Sequence, residues 1–100
     1  MIVVVARLVI KPGTAPLLLE AARRCVAETR NEPGCLSYDL FASVTDPDNL
    51  TFVERWEDRE ALSAHARSQH VAEWRAAGAD YIIERQIDIV HPSAIESHTV

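Results

Sequence analysis

The chain contains few of the residues that build specialised scaffolds. It has two cysteines and three glycines among 100 residues, and Cys25 and Cys35 lie ten positions apart without a CxxC motif. Two isolated thiols do not form the dense disulfide framework of a small secreted domain, so we expect both to be reduced core residues. The sequence also lacks a basic run and carries a net charge of −5, which argues against binding to nucleic-acid phosphates.

Long apolar segments are absent as well. No stretch approaches the roughly 20 apolar residues that a helix needs to cross a bilayer. The first segment, MIVVVARLVIKPG, has neither a basic leader nor a small-residue cleavage site, so it does not read as a signal peptide. These absences predict a cytoplasmic protein that binds neither a membrane nor a nucleic acid.

Motifs for cofactors and metals are missing from the sequence. There is no GxGxxG, no P-loop and no GxSxG, so no nucleotide or flavin is indicated. His65 and His70 are five residues apart, and on one continuous helix this spacing places them off a common face. We therefore expect no cofactor and no metal site.

What is present is a regular succession of strand and helix patterns. Residues 2–10 are rich in β-branched side chains, and the turn cluster at 45–49 separates two further strand patterns, which predicts a hairpin. The predicted strands are 2–10, 35–43, 50–57 and 81–91. One helix is predicted between Thr14 and Asn31, and a second between Asp58 and Gly78, which Ser68 either restarts or bends.

The order β-α-β-β-α-β is that of a ferredoxin-like split βαβ unit. It predicts an α+β fold with a four-stranded antiparallel sheet and both helices on one face. A chain of 100 residues makes one domain, for which we expect residues 1–92, followed by a polar C-terminal tail at 93–100.

The first strand is apolar on both of its sides. Ile2, Val4 and Leu8 alternate with Val3 and Val5, although two helices can cover only one face of the sheet. An uncovered apolar face is typical of an interface. The pattern therefore predicts a homodimer in which the sheets of two copies pack against each other.

Three polar residues interrupt apolar patterns. Tyr38 alternates with Leu36 and Leu40, while Cys35, Ser37, Asp39 and Phe41 are expected on the opposite side. Glu54 shares a strand face with Leu50, Phe52 and Trp56, and His65 follows Leu62 on the second helix. Each is either a structural residue with a partner or a functional group in a cavity, and the pattern alone leaves both readings open.

Several motifs together resemble the antibiotic biosynthesis monooxygenase family over residues 2–90. They are R-x-x-I-K-P-G at 7–13, N-E-P-G-C-L-S-Y-D-L at 31–40, F-V-E-R-W-E-D-R-E-A-L at 52–62 and H-x-x-S-x-H at 65–70. The resemblance implies a homodimeric α+β barrel with a small pocket between sheet and helices. Some members of that family oxygenate phenols or quinols with molecular oxygen and without metal or flavin, and others degrade haem, isomerise carbonyl compounds or act on quinones.

The resemblance also implies a set of site residues. Tyr38, Glu54, Trp56 and His65 match motif positions of the family, and Asn31 and Glu32 match its turn before the second strand. The haem-degrading branch has an asparagine where this chain has Ala6 and a tryptophan where it has His65, so haem is not expected.

The resulting hypothesis is a cofactor-independent monooxygenase. His65 is the base, Tyr38 orients the substrate oxygen, and Phe52, Trp56 and Trp74 stack on an aromatic ring, with Glu54 and Asn31 as further substrate contacts. Two alternatives remain open at this point. The same base could serve an isomerase or tautomerase acting on a small carbonyl compound, or the pocket could bind a small molecule without turnover.

Overall fold

The computed structural model describes all 100 residues of the chain, Met1–Val100. Four strands form one antiparallel sheet in the order β2-β3-β1-β4. The sheet and its helices have the ferredoxin-like α+β topology that the sequence predicts. The elements are β1 (Ile2–Ile10), α1 (Ala15–Arg30), β2 (Cys35–Ala42), β3 (Asn49–Trp56), α2 (Arg59–Ala66), α3 (Gln69–Gly78) and β4 (Ile82–Val90).

Strand β1 lies in the middle of the sheet between β3 and β4, and its residues alternate strictly in burial. Val4 is 2% exposed and pairs with Glu54, whereas the next residue, Val5, is only half-buried and pairs with Val53. The alternation defines two surfaces. The inner face of the sheet packs against the helices, and the outer face is not covered by any element of the chain.

Helix α1 packs on the inner face with one apolar stripe. Leu18, Ala22, Cys25 and Thr29 recur at helical spacing and are all buried. The helix ends at Arg30 because Pro33 disfavours helical geometry in the residue before it. Neither cysteine is in a disulfide, and both are free thiols.

The second predicted helix is interrupted and forms the two helices α2 and α3. The Asp58 side chain caps α2 by accepting a hydrogen bond of 2.9 Å from the Ala61 N–H. At the junction Ser68 is extended, and its hydroxyl accepts from the Val71 N–H and donates to the His65 carbonyl oxygen at 2.7 Å. Of the two expected roles of Ser68, it therefore restarts the helix, because its hydroxyl replaces hydrogen bonds that a continuous helix would make.

Strand β2 departs from the predicted alternation at its start. A register shift between Cys35 and Ser37 leaves Leu36 without a partner on β3, and Leu36 is 55% exposed. The prediction that Leu36 lies on the same side of the sheet as Tyr38 is wrong. The bulge adds one residue to β2, so the side chains before it point to the opposite faces from those that strict alternation predicts. Tyr38 pairs with Glu54 on the inner face, and Cys35 pairs with Trp56 on the same face.

The connection from α1 to β2 depends on a glycine. Gly34 has φ +82°, and a Cβ atom at this position would lie 2.6 Å from the Cβ of Ala61 on α2. The turn therefore combines a left-handed conformation with close packing against α2. None of the three helices has the length and apolarity to cross a membrane.

Candidate functional site

A pocket of about 370 Å³ lies between the inner face of the sheet and helices α2 and α3. Eleven of its 18 lining residues are hydrophobic, as is typical of small-molecule sites. Of the residues that the sequence predicts for the site, it brings together Tyr38, Phe52, Glu54, His65 and Trp74.

His65 lies on the last turn of α2 and is 7% exposed. Its Nδ1 atom is 3.0 Å from Oε1 of Glu32, in the turn that follows α1. Its Nε2 atom makes no hydrogen bond in the chain. Since every completely buried polar side-chain atom has a partner, Nε2 is not completely buried, and it is accessible from the pocket that His65 lines. Because Glu32 accepts the proton at Nδ1, the neutral ring presents an unprotonated Nε2 to the pocket.

Burial controls the ionisation of His65. Loss of contact with water lowers the pKa of the imidazole below its ordinary value, and the hydrogen bond and charge of Glu32 oppose this shift only partly. The ring is therefore neutral at pH 7. A neutral imidazole in an apolar pocket can accept a proton from a bound substrate.

Glu54 is a carboxyl group on the inner face of β3, 5% exposed and without an ion-pair partner. Its Oε1 accepts a hydrogen bond of 2.9 Å from Nε1 of Trp56. Burial raises the pKa of Glu54 to about 7, although the Trp56 hydrogen bond stabilises the charged form. Both protonation states are thus populated near neutral pH, which is a property of functional acids.

Tyr38 contributes its ring to the pocket, between His65 and Phe52. The ring centroids are 5.2 Å from that of His65 and 5.3 Å from that of Phe52. Its hydroxyl is 3.9 Å from Sγ of Cys25 on α1, and burial raises the pKa of the phenol, which stays neutral at any physiological pH. In this structure the hydroxyl is hydrogen-bonded in the core, and the ring forms part of the wall.

The remaining predicted site residues differ in where they lie relative to the pocket. Trp74 meets Phe52 edge to face at 5.6 Å and lines the pocket. Trp56 is completely buried behind the pocket, with its ring 4.7 Å from that of His65. Asn31 is exposed at the end of α1, outside the pocket.

The predicted position of His70 is wrong, and Glu32, expected only as part of the turn before β2, contacts His65 in the site. The break at Ser68 turns α3 so that Nε2 of His70 contacts the same Glu32 oxygen as His65 does. The expectation that the two histidines lie apart is wrong because it assumed one continuous helix. The sequence signal for this arrangement is Ser68 itself. Serine is a preferred N-cap residue, and its side chain accepts a hydrogen bond from the backbone N–H three residues later, here that of Val71.

The Glu32, His65 and His70 side chains form a compact donor set. One oxygen and two ring nitrogens lie within 4.8 Å of one another, and such a set could hold a divalent cation. All three atoms already satisfy one another by hydrogen bonds. The shared carboxylate also fixes the orientation of the His65 ring, which is the feature relevant to proton transfer.

Comparisons with known proteins identify the family of the chain. A family model described as antibiotic biosynthesis monooxygenase matches residues 1–77. "Putative monooxygenase YcnE" of Bacillus subtilis is 29% identical over 96% of this chain and 100% of that protein. "Probable quinol monooxygenase YgiN" of Escherichia coli is 28% identical over 92% of this chain and 98% of that protein.

A solved structure extends the similarity to the whole architecture. The structure of Rv0793 from Mycobacterium tuberculosis superimposes with a TM-score of 0.86 at 29% identity, covering 96% of this chain and 98% of that one. The family model spans most of the chain, including β1, the hairpin and the helices that carry the pocket. The chain therefore belongs to the antibiotic biosynthesis monooxygenase family.

Proposed function

We propose that this protein oxygenates a small electron-rich aromatic compound, a phenol or a quinol, and that His65 is the base that generates the substrate anion. The observation that carries the proposal is a buried neutral imidazole whose Nδ1 is bound to Glu32 and whose Nε2 is free toward an apolar pocket. The quinol monooxygenase name of the Escherichia coli relative favours the same substrate class.

The proposed reaction starts with proton transfer from the substrate hydroxyl to Nε2 of His65. The resulting phenolate is a much better electron donor than the phenol, and it transfers electrons to dioxygen. One oxygen atom enters the ring and the other leaves as water, so one phenol and one dioxygen give one quinone and one water. Phe52 and Trp74 would hold the ring and exclude water while the anion exists.

We further propose that the active form is a homodimer. Val3, Val5, Val9 and Val53 on the outer face remain half-buried beside Phe41, which is 56% exposed, and no helix of the chain covers them. A second copy of the same face would bury this apolar surface. Sedimentation at micromolar concentration should give about twice the chain mass of 11.1 kDa, and a monomer would contradict the proposal.

The activity is tested with an oxygen electrode and a panel of naphthols and naphthoquinols. We expect stoichiometric oxygen uptake with at least one of them. His65→Gln should lower kcat by roughly 10²–10⁴-fold, the usual contribution of a general base. His91→Gln, an exposed histidine just after β4, is the matched control and should leave kcat unchanged.

Other outcomes would replace the proposal. Conversion of a carbonyl compound without oxygen uptake would show an isomerase or tautomerase that uses the same base. Saturable quenching of tryptophan fluorescence without turnover of any compound in the panel would show a binding protein. Equal activity of His65→Gln and the wild type would remove His65 from the reaction.

A further inference from the structure

The mouth of the pocket is unusually rich in arginine. The chain has ten Lys and Arg side chains in total against 15 Asp and Glu. Four of the ten line this one pocket, and they come from separate elements: the start of α2, the α2–α3 junction, α3 and β4. They are Arg59, Arg67, Arg75 and Arg85.

None of these four guanidinium groups has an anionic partner in the chain. Of the six basic side chains outside the pocket, Arg7, Arg24 and Arg30 lie 2.7–3.6 Å from carboxylate oxygens, and the other three are unpaired, so what distinguishes the pocket is that four unpaired arginines lie together. The four pocket arginines have no ion pair within 4.0 Å and no side-chain hydrogen bond, although acidic residues outnumber basic ones in the chain. All four are exposed, so their donors are available to a ligand.

The acidic side chains are distributed in the opposite way. Only one carboxyl group lines the pocket, Glu54, and it lies on the inner face of the sheet among apolar side chains. Arg75 is close enough to oppose protonation of His65 by its charge. The pocket thus combines an apolar interior with a positive mouth, on a protein whose net charge is −5. Such a cleft concentrates anions near its opening.

We infer that the substrate is an aromatic compound that carries an anionic group, of which a ring carboxylate is the simplest case. The ring would enter the apolar interior beside His65, and the anion would remain at the mouth among the arginines. The placement of the ring beside His65 rests on the proposed function, whereas the binding of the anionic group by the arginines does not. Guanidinium groups bind carboxylates through paired hydrogen bonds, so they add orientation as well as attraction.

The orientation matters for the reaction. A carboxylate held at the mouth sets how deeply the ring enters the pocket, and it directs the opposite end of the ring toward the interior. A neutral ring of the same size has no such anchor and can bind in several poses. We therefore expect the anionic group to improve both affinity and the fraction of productive complexes.

The test measures binding separately from turnover. Isothermal titration under argon compares 6-hydroxy-2-naphthoate, whose hydroxyl lies at the end of the ring opposite the carboxylate, with its methyl ester, which has the same ring and hydroxyl but no charge. We expect the acid to bind about tenfold more tightly, the combined effect of two or three partly exposed ion pairs. The difference should shrink as salt rises from 50 mM to 500 mM, because exposed charges are screened. Equal affinity of acid and ester would overturn the inference.

Variants locate the effect. The double variant Arg75→Gln/Arg85→Gln should weaken binding of the acid about fivefold and leave the ester unchanged. Arg23→Gln, an exposed arginine on α1 outside the pocket, is the matched control and should change neither. If the double variant alters the sedimentation coefficient but not the affinity for the acid, the arginines serve assembly and the inference is wrong.

The two proposals fail in different ways. Preference for the acid without oxygen uptake by any substrate would leave the anion site intact and remove the monooxygenase. Oxygen uptake at the same kcat/KM with acidic and esterified 5,8-dihydroxy-2-naphthoate, whose hydroxyls lie on the ring away from the carboxylate, would leave the monooxygenase intact and remove the anion site.

Discussion

The two faces of the sheet are built from alternate residues of the same strands, and they differ in how completely the chain satisfies them. On the inner face, buried polar groups have partners: Glu54 accepts from Trp56, and His65 above it is bound to Glu32. On the outer face, valines are only half-buried, and the charged side chains Arg7 and Asp88 face each other at 3.5 Å.

The difference shows how much of each surface the chain covers with its own elements. Over β1, β2 and β3 the inner face packs against the helices in a closed core, and the polar groups of its pocket are oriented by hydrogen bonds, whereas Ile87 and Ile89 of β4 line the pocket and remain 50% and 38% exposed. The outer face is apolar like a core, but no other element of the chain packs against it. Chemistry is therefore expected from the inner face and assembly from the outer face, and substitutions on adjacent residues of one strand should separate the two.

The largest effect is expected from a charge on the outer face. Val5→Lys would bury an unpaired ammonium between two sheets, which costs at least about 3 kcal/mol, a more than hundredfold rise in the dimer dissociation constant. Analytical ultracentrifugation over a range of concentrations measures it. Val44→Lys is the same substitution at a fully exposed turn residue and should leave the dimer intact. Equal sedimentation of the two variants would show that the outer face is not the interface.

The next effect concerns the pH dependence of stability on the inner face. Because the pKa of Glu54 is about 7 in the folded chain and 4.5 as its ordinary value, the native state holds its proton more tightly than the unfolded state. Its contribution is therefore full below pH 4.5 and is lost as pH rises through 7, up to about 3 kcal/mol.

Glu54→Gln should remove this loss, since glutamine stays neutral and can still accept from Trp56. Urea unfolding should find the variant and the wild type similar at pH 4.5 and the variant more stable at pH 8. Glu28→Gln, on the exposed side of α1, serves as control. A constant difference between wild type and Glu54→Gln across this range would mean that Glu54 is ionised throughout.

A smaller effect is expected from the carboxylate that orients His65. Glu32 raises the pKa of His65 against the larger effect of burial, so Glu32→Gln should lower that pKa further. NMR titration of the histidine Cε1–H resonance detects the change. Loss of the preferred tautomer should also lower kcat by at least about tenfold. Glu57→Gln changes a nearby exposed carboxylate and should do neither; a shift of the same size in both variants would indicate a general electrostatic effect.

The smallest effect is expected at Tyr38. Tyr38→Phe removes a hydroxyl whose partner is the Cys25 sulfur at 3.9 Å, a weak contact, so unfolding should change by less than about 1 kcal/mol. If the hydroxyl turns to orient the substrate, as the sequence-based hypothesis holds, kcat falls. Unchanged kcat would restrict Tyr38 to a wall of the pocket.

Regular alternation and helical spacing were sufficient to predict most of the fold. The β1 pattern, the hairpin and the cap at Asp58 all depend on local preferences, and the structure agrees with them. The error in strand β2 arose at the bulge at Leu36, which depends on how the strand pairs with its neighbour and which periodicity does not reveal. The restart at Ser68 was one of the two expected roles of that residue, and only the position of His70, expected on a continuous helix, was wrong.

The candidate site was predictable to the same extent. Tyr38, Glu54 and His65 stood out because polar residues interrupted apolar patterns, and the structure brings them together. Glu32 did not stand out, because a glutamate before Pro-Gly is an ordinary turn residue. Its partner His65 is 33 positions away, and only the folded chain makes them neighbours.

The contact between Gly34 and Ala61 has a consequence for the evolution of this site. Glu32 precedes Gly34 by two residues, and His65 follows Ala61 by one helical turn, so both ends of the carboxylate–imidazole pair are attached to this one point of close packing. A side chain at position 34 would force the turn and Ala61 apart, and we expect this to lengthen the contact between Glu32 and His65. As long as the carboxylate–imidazole pair is kept, glycine is therefore the residue expected at position 34.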